Sequence, residues 1–271
     1  MTQLCFNLND LLEQKWTLKT KAKSLSYGRR LFQININGQS YWLKTQRDEQ
    51  ASDESFVKAF DRELAFYHYA EGNQLEICLP FQIFNQEFFY QGEQFIRGLL
   101  LPNALSIFSQ SPKTFNLSQI KNIFIRAVEV LVDLSACGYI HADLKSDHFV
   151  IHQEKVCLID FEQVQSMASK KTNMTATPRY MAPELFHGEA KSIASEIYAL
   201  GIIFLEWLKQ TRLTAKTYQD WAVLHCQNLD VHLSREYQCF EPLLRYMLVK
   251  RKEGRIQDLQ SMRQWLMTEI E

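Results

Sequence analysis

Ten residues of this chain, His141 to Val150, read HADLKSDHFV, and ten residues further on an apolar run ends in Asp160-Phe161-Glu162. The first segment is a loop that carries Asp143, Lys145 and His148. The run Val156 to Ile159 is short, apolar and closed by an acid, the pattern of a buried strand that presents a carboxylate, Asp160, at its end. An H-x-D triplet arises often by chance, so its weight depends on what else stands in order around it.

Upstream, Tyr41-Trp42-Leu43-Lys44 alternates as a strand does and ends in lysine. Nineteen residues later Glu63 falls in FDRELAFYHYA, where Phe60, Leu64 and Tyr67 recur at helical spacing. Downstream stand ATPRYMAPE, residues 176–184, and SEIYALGIIFLEWL, residues 195–208. In this order the motifs resemble those of the protein-kinase-like superfamily, and of the eukaryotic-like Ser/Thr kinases in particular: H-R-D-L-x-x-x-N, then D-F-G, then A-P-E. Three positions depart from the pattern. Ala142 stands for the Arg, His148 for the Asn and Glu162 for the Gly, while Glu196 replaces the Asp usual in the last segment.

The resemblance runs from about Ser24 to Leu266. It implies an α+β, bilobal fold: a small antiparallel sheet with the Glu63 helix in residues 1–101, and a larger helical part in residues 102–271. It implies ATP and Mg²⁺ as cofactors. Lys44 and Glu63 would be the ion pair that sets the amine onto the phosphates, and Asp160 the metal ligand. Asp143 would orient an acceptor hydroxyl and take its proton. Lys145 would approach the γ-phosphate, and Thr177 would hydrogen-bond near both, as in Ser/Thr kinases. His148 either coordinates a second metal or hydrogen-bonds across the loop. As a ligand it would favour Mn²⁺ over Mg²⁺, because imidazole suits softer ions. Glu184 would pair with Arg255 as a tie of the fold. Phosphate-covering loops of the family use several glycines, whereas SLSYGRRLFQINING offers Gly28 alone before its strand, with Arg29 and Arg30 read as a solvated basic turn.

The activity implied is transfer of the ATP γ-phosphate to a Ser/Thr hydroxyl of a protein. Two alternatives stay open: a kinase of a small molecule or lipopolysaccharide sugar, whose family shares a His at the place of His148, and a nucleotide-binding pseudokinase. Loss of the Arg at position 142 implies activity that does not depend strictly on phosphorylation of Ser166, Ser169, Thr172 or Thr175.

Composition narrows the classes. At 271 residues with 46% hydrophobic residues the chain can bury two cores and is not disordered. A net charge of −1, with only Lys250-Arg251-Lys252 and Arg255 clustered, argues against a nucleic-acid surface. The apolar stretch of residues 195–208 is too short to span a bilayer. Residues 1–10 lack the basic and apolar regions of a signal peptide, and most of the six cysteines, which form no C-x-x-C pair, read as small buried hydrophobes, so a cytoplasmic protein is expected.

Local signals predict further elements. Asn37-Gly38 marks a hairpin. Runs flanking Gln91-Gly92-Glu93 extend the sheet, and Leu99 to Asn103 links the two parts. NLSQIKNIFIRAVEVLVDLSACG predicts a helix capped by Asn116 or Ser118 and stopped at Gly138. Trp207, Trp221, Tyr237 and Trp265 are assigned to the core.

Overall fold

Asn37-Gly38 turns as its sequence requires: both residues have positive φ, +50° and +79°, and Ile36 pairs with Gln39 across a two-residue loop. The computed structural model of the chain describes residues 4–20, 25, 28–47, 54–169 and 177–268. Ser24, Thr172, Thr175, Ala176 and much of the charged stretch between Arg47 and Glu54 lie outside the described residues. The chain divides into two units, residues 1–104 with 157–162, and residues 105–156 with 163–271. A single cut between residues 101 and 102 does not capture the return of residues 157–162 to the first unit.

The first unit opens with a short helix, α1 (Leu8–Leu12), capped by Asn7, which sequence patterning passed over. The strands β1 (Trp16–Leu18), β2 (Arg29–Ile36) and β3 (Gln39–Arg47) follow, then helix α2 (Glu54–Gly72), then β4 (Gln82–Phe84), β5 (Phe88–Tyr90) and β6 (Glu93–Pro102). They form one antiparallel sheet in the order β1-β2-β3-β6-β4, with β5 also on β6. One face buries Leu11, Trp16, Phe32, Ile34, Tyr41, Leu43 and Phe95. Trp16 stacks on Tyr90 at 3.9 Å and donates its indole N–H to the Leu11 carbonyl, so the large ring is packed without stranding its polar atom. In α2 the buried stripe is Val57, Phe60, Leu64 and Tyr67, and Glu63 lies on it at 1% exposure. A carboxylate so placed needs a cation.

In the second unit α3 (Leu117–Ala136) begins with a reciprocal capping box between Asn116 and Gln119 and ends before Gly138 at φ +79°. Next come β7 (Tyr139–Ile140), β8 (Phe149–His152) and β9 (Lys155–Leu158), on which the chain leaves this unit, and then β10 (Gln165–Ser166), paired with β7. The helices α4 (Pro183–Phe186), α5 (Ile193–Lys209), α6 (Tyr218–Val223), α7 (Glu241–Met247) and α8 (Leu259–Thr268) complete it. Helix α5 is buried almost all round, which marks it as the axis of the unit. Its Phe204 stacks on Phe124 of α3 at 3.7 Å, and a Cβ on its Gly201 would come within 2.9 Å of Leu248. Among the described residues no helix is long and apolar enough to cross a membrane.

Some expectations change. Trp207 and Tyr237 are core residues, but Trp221 and Trp265 are only half-buried, Trp221 stacking on His225. Of the cysteines only Cys78 and Cys157 are buried, while Cys5 and Cys239 are exposed. Arg29 and Arg30 are not a solvated turn. They start β2, are 8% and 7% exposed, and pair with Glu162 and Glu93.

Candidate active site

Two groups of polar side chains stand out, one in each unit. In the first, β3 carries Lys44 on the sheet face opposite Leu43, and α2 carries Glu63. The Lys44 ammonium lies 2.7 Å from Glu63 Oε2, 2.8 Å from Asp160 Oδ1 and 2.6 Å from Glu162 Oε1. Burial alone would lower the Lys44 pKa, but the carboxylates of Asp160, Glu162 and Glu63 outweigh it and hold the group above the ordinary lysine range. Glu63 is pushed up to about 7, because burial and the neighbouring acids exceed the pull of Lys44. Its second oxygen accepts the Phe161 N–H at 3.2 Å. Phe161 is fully buried against Phe66 and Tyr67, with ring centroids 4.4 and 5.4 Å away. That packing fixes the chain on one side of Asp160, which adopts φ +66°.

The acids Glu63, Asp160 and Glu162 bring ligand oxygens within 4.8 Å of one another. Oxygen donors of this kind suit a hard cation such as Mg²⁺. Gly28 has φ +75°, and its backbone bonds with Leu25 and Arg47.

In the second unit the HADLK loop is held from beneath. Ala142 adopts φ +66°, unfavourable for a residue with a Cβ by roughly 1–2 kcal/mol. The carboxylate of Glu196 on α5 accepts the His141 N–H at 3.0 Å and the Ala142 N–H at 2.8 Å, and Lys191 donates to the Ala142 carbonyl at 2.5 Å. The strained turn is therefore bonded through both its amide and its carbonyl. Beyond it, Asp143 accepts from the Lys145 ammonium at 2.8 Å, from the Thr177 hydroxyl at 3.0 Å and from the Thr177 N–H at 3.3 Å. His148 is 6% exposed, with its ring 5.2 Å from that of His141. Sequence reading noted Glu196 only as a departure and missed Lys191. The residue types were visible, but their hydrogen bonds to backbone far off in the chain were not.

Glu196 yields a pH test. Burial raises it from 4.5 to about 7, and the amides of Ala142 and His141 draw it part of the way back. A group whose folded pKa exceeds its unfolded value stabilises fully below the unfolded value and loses that contribution as pH rises through the folded one. Urea unfolding of the wild type should therefore lose stability between pH 4.5 and 7 more steeply than that of Glu196→Gln, which cannot ionise. Equal slopes would contradict this account of Glu196.

The protein kinase domain family matches residues 35–266. Serine/threonine-protein kinase shk1/pak1 of Schizosaccharomyces pombe is 30% identical over 135 residues, 46% of this chain and 20% of that protein. The probable serine/threonine-protein kinase mkcF of Dictyostelium discoideum is 28% identical over 187 residues, 60% of this chain and 27% of that protein. Serine/threonine-protein kinase PAK 4 of Mus musculus is 33% identical over 95 residues, 34% of this chain and 16% of that protein. The matches thus span about a quarter or less of these relatives' lengths. With the family match covering most of its residues, and with the lysine, the acids and the A-P-E segment in the family's order, the chain belongs to the protein kinase domain family.

Proposed function

We propose that this chain is an ATP-dependent phosphotransferase acting on Ser/Thr hydroxyls of a protein. The observation that carries this is the arrangement of Thr177, Asp143 and Lys145: one carboxylate bonded to an ammonium and to the hydroxyl and amide of a threonine from the TPRYMAPE segment. The names of the similar proteins support the same acceptor class.

In this reading the first unit handles nucleotide and the second handles acceptor. Lys44, held by Glu63, neutralises phosphate charge, and Gly28 lies on the nucleotide side. Asp160 would hold Mg²⁺, which supplies further neutralisation of the phosphates when bound. Asp143 orients the acceptor hydroxyl and receives its proton. Lys145 offsets the charge at the transferred group and holds the Asp143 carboxylate in place through their 2.8 Å contact. Thr177 fixes the rotamer of Asp143. The loose transition state asks mainly for positioning and charge neutralisation, and these residues provide both. A cytoplasmic location goes with this reading.

His148 would serve as a second metal ligand in this reading, with hydrogen bonding across the loop as its other role, and nitrogen in place of oxygen would shift the preferred ion. Activity with Mn²⁺ should exceed that with Mg²⁺, and His148→Asn should move the ratio toward Mg²⁺. A ratio unchanged by the substitution would remove His148 from the metal site. The acceptor class is tested by offering labelled ATP with protein and with lipopolysaccharide sugar acceptors side by side. Label on serine or threonine is the expected result, and label on sugar alone would overturn the assignment.

A further inference from the structure

Glu162 occupies the place where the family carries glycine, and the proposed reaction assigns it no role. Its surroundings do. One carboxylate oxygen receives the Lys44 ammonium at 2.6 Å and the guanidinium of Arg29, and its backbone carbonyl receives Arg62 Nη1 at 2.5 Å. Three cations from β2, β3 and α2 therefore converge on one residue. Arg29 is itself immobilised: Nε donates to Gln46 Oε1 at 2.9 Å, Nη2 donates to the Phe56 carbonyl at 3.0 Å, and its guanidinium carbon lies 4.6 Å from the centroid of the Phe60 ring. It is a fixed post rather than a flexible surface charge.

Asp160, two residues earlier, stands in the left-handed region, which a residue with a Cβ holds only when its surroundings over-determine it. Phe161 anchors one side through its ring and its N–H. Glu162, the next residue on that same side, adds a second anchor through its carboxylate and its carbonyl. The same carboxylate also takes a share of the Lys44 ammonium and limits where that ammonium can sit.

We propose that Glu162 is a positioning residue for Asp160 and Lys44, with Arg29 as its anchor. The inference rests on reading those two residues as the metal- and nucleotide-handling groups. A carboxylate here has two opposite effects, since it repels incoming phosphate and it orders the groups that bind phosphate. The Lys44 ammonium and the Arg29 guanidinium on this one carboxylate offset its charge locally, so ordering should prevail.

The test uses the full chain. Calorimetric titration with a non-hydrolysable ATP analogue and Mg²⁺ is run on the wild type, Glu162→Gln, Glu162→Ala, Arg29→Ala and the double variant Arg29→Ala/Glu162→Ala, alongside thermal melts. Each single variant should weaken analogue binding about 10- to 100-fold, as loss of groups that orient a metal ligand does. The double variant should be no weaker than the weaker single one, because the two residues act as a unit. The isosteric Gln variant carries the test if an Ala variant fails to fold. Equal or tighter binding by Glu162→Gln would make Glu162 a competing anion and overturn the proposal, as would additive losses. A wild type that binds no analogue overturns the underlying reading as well, whereas a wild type that binds beside an unaffected Gln variant overturns this inference alone.

Discussion

Lys44→Ala should lower phosphoryl transfer by at least about 10²–10³-fold, the scale on which loss of a preorganised charge-stabilising group acts, while the chain stays folded. The ammonium neutralises three acids at once, lying within 2.8 Å of Glu63, Asp160 and Glu162. Without it the acids are left to repel one another and any phosphate. The fold survives because Glu63 has an alternative to bearing a buried charge. Its pKa is already about 7, Lys44 pulls that value down, and removing the lysine drives it further up, so that Glu63 is neutral at physiological pH. Asp160→Ala should lose activity comparably. Transfer of labelled phosphate, with circular dichroism and melting as the fold control, checks both variants. Near wild-type turnover in either would remove these residues from the reaction.

Arg255→Ala should act on the fold instead, destabilising the chain by about 3–5 kcal/mol, the range for breaking one partner out of a buried ion pair. Arg255 is 3% exposed and donates to both oxygens of Glu184 at 2.8 Å, to the Ala194 carbonyl at 2.7 Å and to the Val249 carbonyl at 3.1 Å, while its guanidinium lies 4.9 Å from the Tyr198 ring. Its removal strands a carboxylate in the core together with two carbonyls. Urea unfolding measures the loss, and a change of less than about 1 kcal/mol, the size of a surface pair, would contradict the description.

The comparison of sequence with structure divides along physical lines. The Asn37-Gly38 hairpin, the Asn116 cap, the Gly138 stop and the buried course of α5 were legible because turn, cap and periodicity signals are local. The Lys44–Glu63 and Glu184–Arg255 pairs were legible because they sit at set places in a recurring order of motifs. Arg29 and Arg30 were misread because adjacent arginines beside a glycine look solvated until the partners that bury them, Glu162 and Glu93, are known to face them. The expectation that most cysteines are buried failed for the converse reason, since only Cys78 and Cys157 are: an apolar neighbourhood in sequence does not guarantee one in space. Lys191 falls outside any motif, and Glu162 stands in the D-F-G motif only as a departure from it. Each acts through side-chain bonds to residues distant in the chain, and no spacing rule reports that.

The central claim is transfer of the γ-phosphate to a protein hydroxyl with Asp143 as the group that receives the proton. It is tested most directly by following label from γ-labelled ATP into protein serine and threonine with the wild type and with Asp143→Ala, measuring nucleotide binding by both in parallel. The wild type should label protein. Asp143→Ala should bind nucleotide as the wild type does and lose transfer by about 10²–10⁴-fold, the range for a general base. Absence of transfer by the wild type, or a variant that loses nucleotide affinity along with transfer, would contradict it.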